Sequence, residues 1–243
     1  WLPPDHFQED PRGIAAHSTS PTNIGFMLLS ALAASDLGYI GQLGLSLRLQ
    51  AAFTTMDSLE RYRGHFLNWY DTHTLAPLAP RYVSTVDSGN LAACLLTLSQ
   101  ACQAAPARPA FNAQRWQGLL DTLAIMGECL RGIDAAGAKA KADTLAFELG
   151  EVGREVQALE ADPGHWPSLL DSLSGRTFPR LEGLLLELVE VTPPALSAES
   201  LNHLRLCSDR VRHHLLSMQR DLDLFLPWLR YFGRIPALLE GAR

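Results

Sequence analysis

Hydrophobic residues recur at helical spacing along most of the chain. Within residues 39–62 they step alternately by four and three positions and form one apolar stripe, made of Leu45, Leu49, Ala52, Met56 and Leu59. Near the other end, seven-residue spacing predicts the seam of a helical hairpin at Leu204, Val211, Leu215, Met218, Leu222 and Phe225. No segment alternates long enough between apolar and polar positions to form a core strand. The pattern therefore predicts an all-α fold.

Capping residues divide this pattern into about eight helices. Ser20-Pro21 is a strong start signal, because a hydroxyl N-cap precedes a proline at the first helical position. Asp87 or Ser88 is expected to cap the third helix, and Gly64 stands where the second needs a C-cap. Further expected caps are Asn112, Asp134, Thr177 and Ser197. The predicted helices are residues 21–35, 39–62, 89–103, 112–131, 134–160, 166–173, 179–191 and 197–225.

The segments between the early helices carry few helical signals. Residues 1–20 are rich in proline and aperiodic, so we expect a fixed loop there. Residues 64–86 predict a structured loop with at most one small hairpin, drawn from residues 65–69 and 81–83. Plain helical sequence begins after residue 103. We therefore predict a loop-rich helical segment at 1–103 and a helical continuation or insertion at 104–243.

Composition and charge exclude some classes of function. Acidic residues outnumber basic ones by 26 to 20 in the 243 residues, and no basic cluster offers a footprint for nucleic acid. No apolar run approaches the roughly 18 residues of a membrane span, so we expect a soluble segment. The irregular spacing of the four cysteines favours buried free thiols over a zinc or disulfide framework. Because the chain opens on Trp1, we expect it to be a piece of a longer protein.

Polar, aromatic and glycine residues concentrate in the early loops, two of which run into helix N-termini. Free backbone N–H groups there favour oxygen-rich ligands. Aromatic faces suit the C–H surface of a sugar ring, and short carboxylates and amides orient its hydroxyls. This composition predicts a carbohydrate site. Its candidate residues are Trp1, Asp5, Asn23, His65, Asn68, Trp69, Asp71, Tyr82, Asp87, Ser88 and Asn90.

Other kinds of site fit the sequence less well. A triad of Ser84 or Ser88 with His65 and an aspartate lacks the strand–turn–helix context of a nucleophile elbow. His213 and His214 are adjacent on a helix and face different directions, which disfavours a joint metal site. No phosphate loop or dinucleotide fingerprint occurs. We therefore predict neither a metal nor a cofactor.

Several of these segments together resemble a known family. They are Trp1-Leu-Pro-Pro-Asp5, Gln8-Glu9, Thr19-Ser-Pro-Thr-Asn-Ile-Gly25, Gly64-His-Phe, Asn68-Trp-Tyr-Asp71 and Tyr82-Val-Ser-Thr-Val-Asp-Ser-Gly-Asn-Leu91. In this order they resemble the opening of the glycoamylase-like domain of bacterial cyclic β-1,2-glucan synthases. The resemblance covers about residues 1–100. The chain departs from the family pattern at His6, where asparagine is usual, and at Ser18, where arginine is common.

The resemblance implies a large parent enzyme at the bacterial inner membrane. Its parts would be a glycosyltransferase using UDP-glucose, this domain on the cytoplasmic side, and a phosphorylase-like part. The glycoamylase-like domain would be an (α/α)6 barrel that transglycosylates linear β-1,2-glucan into a ring. Such a barrel needs about twelve helices, so this chain would hold an incomplete one. The family's catalytic glutamate motifs do not occur here, so we expect substrate-binding residues and no catalytic pair.

Two other functions remain open from the residues alone. Asp71 and Asp87 could form the carboxylate pair of a stand-alone glycoside hydrolase, with the pKa of the acid raised by burial. Alternatively, the chain is a non-catalytic helical scaffold whose apolar stripes dock a partner, which predicts a large exposed apolar patch.

Overall fold

The computed structural model describes residues 1–134, 137–191 and 198–234. The chain forms two compact units. Unit 1 comprises Trp1–Asp36 and Gln42–Pro109, and unit 2 comprises Leu37–Gly41 and Ala110–Arg243. A separate hydrophobic core lies in each unit.

Unit 1 is built on three helices. They are α1 (Pro21–Asp36), α2 (Gln42–Ser58) and α3 (Thr85–Ala104), and a 3-10 turn at Ala105–Ala107 follows the last. Helix α1 packs on both others and most extensively on α3. The buried core residues of this unit are Ile24, Leu28, Ala52, Met56, Leu59, Leu67, Tyr70, Leu91 and Leu98.

Six two-residue strands in three antiparallel pairs shape the loops of unit 1. Strands β1 (Phe7–Gln8) and β2 (Ile14–Ala15) pair, β3 (Ser18–Thr19) pairs with β6 (Tyr70–Asp71), and β4 (Arg61–Tyr62) pairs with β5 (His65–Phe66). Tyr70 anchors these loops. Its buried hydroxyl donates to the Glu60 carbonyl and accepts from the Leu67 N–H, both at 2.7 Å. Because the phenol is buried, its pKa is raised.

The described part of unit 2 contains five α-helices. They are α4 (Gln114–Arg131), α5 (Lys139–Leu159), α6 (Trp166–Ser172), α7 (Phe178–Val191) and α8 (Ala198–Phe225). A π-helical turn at Leu173–Thr177 joins α6 to α7, and 3-10 turns occur at Pro163–His165 and Pro227–Arg234. Helix α4 lies against both α5 and α8.

The all-α prediction is confirmed. Helix α1 begins at Pro21, as its start signal predicts, and five of the six seam positions of α8 are buried, while Phe225 is half-buried. In the described part of the chain the helices do not close into a barrel.

No helix among the described residues is long and apolar enough to cross a bilayer. The four cysteines are free, but only Cys94 and Cys207 are buried, while Cys129 is half-buried and Cys102 is exposed.

The second helix is shorter than predicted. Helix α2 starts at Gln42 and stops at Ser58 instead of spanning 39–62. The residues beyond it form the β4–β5 hairpin, whose turn is Arg63-Gly64. Gly64 has a φ of +87° and therefore serves this turn, so its predicted role as a helix C-cap is wrong. Residues 81–83 form no strand.

Several predicted caps are also wrong. Helix α3 begins at Thr85 with Ser84 as its N-cap, four residues before the predicted start. Helices α4 and α5 begin without a side-chain cap hydrogen bond, from Ala113 and Ala138 rather than from Asn112 and Asp134. Thr177 caps nothing, because the helical path continues through it into α7. The expected cap at Ser197 lies outside the described residues.

Candidate functional site

The N-terminal ends of α1 and α3 lie side by side in unit 1. Gly25 permits this approach. A Cβ on Gly25 would stand 2.9 Å from the Cys94 sulfur and 3.4 Å from the Leu91 Cα. A larger residue would therefore push the two helices apart. The close packing brings the Ser20–Thr22 start of α1 within reach of the first turn of α3.

Asp87 is the polar group on which these two helix starts converge. Its Oδ2 accepts from the Ser84 hydroxyl at 2.6 Å, and the hydroxyls of Ser20 and Thr22 also bond to it. Partial burial acts to raise the pKa of Asp87, but the three hydroxyl hydrogen bonds outweigh it, and the pKa lies below its ordinary value. Asp87 is therefore a carboxylate at neutral pH.

Asn68 extends this network to two aromatic residues. It is 5% exposed, and its backbone N–H donates to the Tyr82 carbonyl at 2.8 Å. With its amide nitrogen towards Asp87, it donates to Oδ2 at 2.9 Å. Its oxygen then accepts from the Trp69 indole N–H at 2.8 Å and from the Tyr82 hydroxyl at 2.7 Å. This orientation satisfies every partner and is the one we assign.

We call this group of connected side chains the Asp87 cluster. It consists of Ser20, Thr22, Asn68, Trp69, Tyr82, Ser84 and Asp87. Asn90 extends it, since its amide donates to the Thr22 hydroxyl at 3.0 Å. Trp69 is half-buried and Tyr82 is 45% exposed, so both rings are partly open to solvent beside a fixed carboxylate. Such a group can stack on a sugar ring and orient its hydroxyls.

Two further candidate residues, Asn23 and Asp5, contact each other near the start of α1. The Asn23 amide donates to Asp5 Oδ1 at 2.8 Å, and His6 Nδ1 lies 3.0 Å from Asp5 Oδ2. These hydrogen bonds, that of His6 first, lower the pKa of Asp5. His6, where the sequence departs from the pattern of the family it resembles, thus contacts Asp5, a candidate sugar-binding residue.

The remaining candidates lie elsewhere or are already engaged. Asp71 binds its own turn, accepting from the backbone N–H groups of Thr74 and His73 and from the Thr74 hydroxyl. The Ser88 hydroxyl, in the first turn of α3, donates to the carbonyl of the N-cap Ser84 at 2.7 Å. Trp1 is 57% exposed. His65 is exposed and lines a separate cavity that Tyr82 also borders.

The carboxylates of Asp71 and Asp87 do not have the electrostatics of a glycosidase pair. Hydrogen bonds from Thr74 lower the pKa of Asp71, and the pKa of Asp87 is lowered as well. A glycosidase needs one carboxyl whose pKa is raised, so that it stays protonated as the general acid. This observation weighs against the hydrolase hypothesis.

Sequence reasoning missed the hydroxyls that hold Asp87 and the arginines of the cavity. The Ser84-x-x-Asp87 spacing is a capping-box signal and could have identified the true start of α3. No sequence signal brings Ser20 and Thr22 to the same carboxylate. The cavity measures about 570 Å³ and is lined by Glu60, Arg61, Tyr62, Arg63, His65, Leu67, Arg81, Tyr82 and Val83.

Fold and site together define a helical protein with a polar, aromatic cluster at paired helix N-termini. No known family model matches the chain. Over 131 residues, or 54% of its length, the chain is 46% identical to the cyclic beta-(1,2)-glucan synthase NdvB of Rhizobium meliloti (strain 1021). The match covers 5% of that much longer protein. The identity supports a relationship with cyclic β-glucan synthases.

Proposed function

We propose that this chain is part of a cyclic β-1,2-glucan synthase and that its Asp87 cluster binds the β-1,2-glucan chain. The observation that carries the proposal is the 46% identity to a protein described as such a synthase. The Asp87 cluster is the site at which we expect the sugar to bind. In the parent, this segment would belong to a glycoamylase-like domain that transglycosylates the linear glucan into a ring.

Other parts of the proposed parent would supply the catalytic groups and use the sugar donor. UDP-glucose would be used by another domain, and the catalytic carboxylates would come from outside this chain. The remaining domains of a membrane-anchored polypeptide would be its permanent partners, with this segment on the cytoplasmic side of the bacterial inner membrane.

The chemistry of the cluster suits a neutral polysaccharide. The Trp69 indole N–H donates to Asn68, which fixes the orientation of the ring, and the half-buried side chain keeps exposed surface on which a sugar can stack. Asp87 is already ionised, so it accepts hydrogen bonds from sugar hydroxyls without releasing a proton. Asn90 adds an exposed amide that both donates and accepts. Stacking with two kinds of polar contact gives orientation as well as affinity.

Calorimetric titration of the 243-residue chain with linear β-1,2-linked oligosaccharides tests this proposal. Trp69→Ala and Asp87→Ala should each weaken binding by about 1–3 kcal/mol, through a lost apolar face or stranded polar partners. In the full-length enzyme the same changes should lower cyclic glucan formation while linear elongation continues.

Two matched variants serve as controls. Trp228→Ala removes an exposed indole from unit 2, and Asp36→Ala removes an exposed carboxylate from the far end of α1. Both should bind like the wild type, and β-1,4-linked oligosaccharides should bind more weakly than β-1,2-linked ones. Wild-type affinity in folded Trp69→Ala and Asp87→Ala proteins would place the sugar elsewhere.

A further inference from the structure

The cavity of about 570 Å³ in unit 1 is distinct in character from the Asp87 cluster. Three arginines (Arg61, Arg63 and Arg81) line it, against one carboxylate, that of Glu60. The lining thus carries a local excess of positive charge, although the net charge of the chain is −6. The cavity has the volume of a small-molecule site.

The three arginines differ in how fully they are satisfied. Arg81 is paired with Glu60. Arg61 is 3.3 Å from an Asp57 oxygen and lies over the Phe66 ring, 4.5 Å from its centroid. Arg63 lies 5.5 Å from the centre of the Tyr62 ring, and no carboxylate in the described part of the chain comes within ion-pairing distance of it. Its guanidinium therefore keeps its donors available.

The backbone conformation of Arg63 separately indicates that this arginine has a functional role. Arg63 and Gly64 form the two-residue turn of the β4–β5 hairpin, with φ values of +49° and +87°. Such a turn favours asparagine, aspartate or glycine at its first position, because a larger side chain is strained at positive φ. An arginine held there costs stability, and strain of this kind is typical of functional positions.

The other residues of the cavity lining indicate which chemical group would be joined to an anion bound by the arginines. Tyr62 and Tyr82 are exposed aromatic side chains at the same cavity, and His65 adds a ring nitrogen. Guanidinium groups match the geometry of phosphate oxygens, while tyrosine rings pack against the C–H face of a sugar. We propose that this cavity is a binding site for a phosphorylated sugar, with Arg63 as its principal phosphate ligand. The site does not rest on the proposed glucan function.

Calorimetric titration of the whole chain with glucose 6-phosphate, glucose and inorganic phosphate tests the proposal. Glucose 6-phosphate should bind tightest, and its affinity should fall as salt is added. Arg63→Asn should weaken this binding by about tenfold or more, as expected for losing hydrogen bonds to a charged group. Folding is protected in this variant, since asparagine is preferred at that turn position. The charge-matched control Arg12→Asn, outside the cavity, should bind like the wild type.

Three results would overturn the proposal. They are equal binding of glucose and glucose 6-phosphate, wild-type affinity in Arg63→Asn, and inorganic phosphate binding as tightly as the sugar phosphate. The glucan proposal fails separately, because it concerns neutral β-1,2-linked chains and the Trp69 and Asp87 variants. Arg63→Asn should leave that binding unchanged.

Discussion

Arg115 and His214 are polar residues enclosed by unit 2. The Arg115 guanidinium donates to the Gly38 carbonyl at 2.7 Å and to the Ser217 hydroxyl at 3.0 Å. Burial lowers the pKa of Arg115 to about 10, opposed by the nearby Asp221 carboxylate, so the guanidinium stays charged at neutral pH. His214 Nε2 lies 2.9 Å from the Arg115 carbonyl, to which it donates in the tautomer that the contact requires.

His214 should make stability depend on pH. Burial first, and the Arg115 charge second, lower its pKa from 6.5 to about 3. The unfolded chain therefore binds more protons than the folded one between these values, and stability falls as the pH drops below about 6.5. Between pH 7 and pH 5 the loss should reach about 2 kcal/mol in the free energy of unfolding.

Urea unfolding at pH 7 and pH 5 measures this loss. His214→Gln supplies the matched control, because glutamine donates a similar hydrogen bond and does not titrate. The variant should lose most of the difference between the two pH values. This range also lies above the lowered pKa values of Asp5, Asp71 and Asp87, which contribute only in stronger acid. An unchanged pH dependence in His214→Gln would assign the effect to other groups.

At the scale of the element, one face of α8 contributes buried residues to the hydrophobic core of unit 2. Leu204, Met218 and Leu222 are fully buried, while Leu216 and Leu224 on other faces are more than half exposed. The buried residues recur at intervals of three, four and seven, as helix geometry requires. These buried residues belong to the hydrophobic core of unit 2, which is the larger of the two cores.

Leu215→Ala should destabilise unit 2 by about 2–5 kcal/mol, because it opens a cavity at a site that is 3% exposed. Leu216→Ala makes the same chemical change one residue further along, where the side chain is 59% exposed. It should cost less than about 0.5 kcal/mol. Chemical denaturation of both variants gives the comparison, and equal costs would contradict the buried seam.

At the scale of the whole molecule, the two units have separate cores. Every buried member of one hydrophobic cluster belongs to unit 1, and every buried member of the other belongs to unit 2, among the residues that the structure describes. The connection between α1 and α2 is unusual, since Leu37–Gly41 belongs to unit 2 while both helices belong to unit 1. Gly41 has no room for a side chain, as a Cβ there would stand 1.6 Å from an Asp221 carboxylate oxygen.

Hydrogen exchange measured by mass spectrometry should resolve the two cores. Leu28→Ala, in the core of unit 1, should speed exchange in α1 and α3 and leave α4 and α5 protected, because a cavity weakens mainly the residues packed around it. Leu145→Ala, in the core of unit 2, should give the reverse pattern. Equal acceleration in both units from either change would show one cooperative core.

Some features of this protein were determined by the sequence itself. The start of α1 at Pro21, the stripe of α8 and the all-α class follow from caps and periodicities that act within a few turns of helix. The concentration of polar and aromatic residues in the early loops is likewise visible without a structure. These signals are local, so they do not depend on which segments later meet.

Other features were decided only by tertiary structure. Asp87 was predicted as a cap of α3, but in the structure its carboxylate is bound by hydroxyls from the start of α1 as well as by the N-cap Ser84. Arg61 and Tyr62 were predicted to end the second helix, yet they form one strand of a hairpin beside the buried Tyr70. In both cases local preferences differ little in free energy, and contacts with residues distant in the chain are large enough to decide between them.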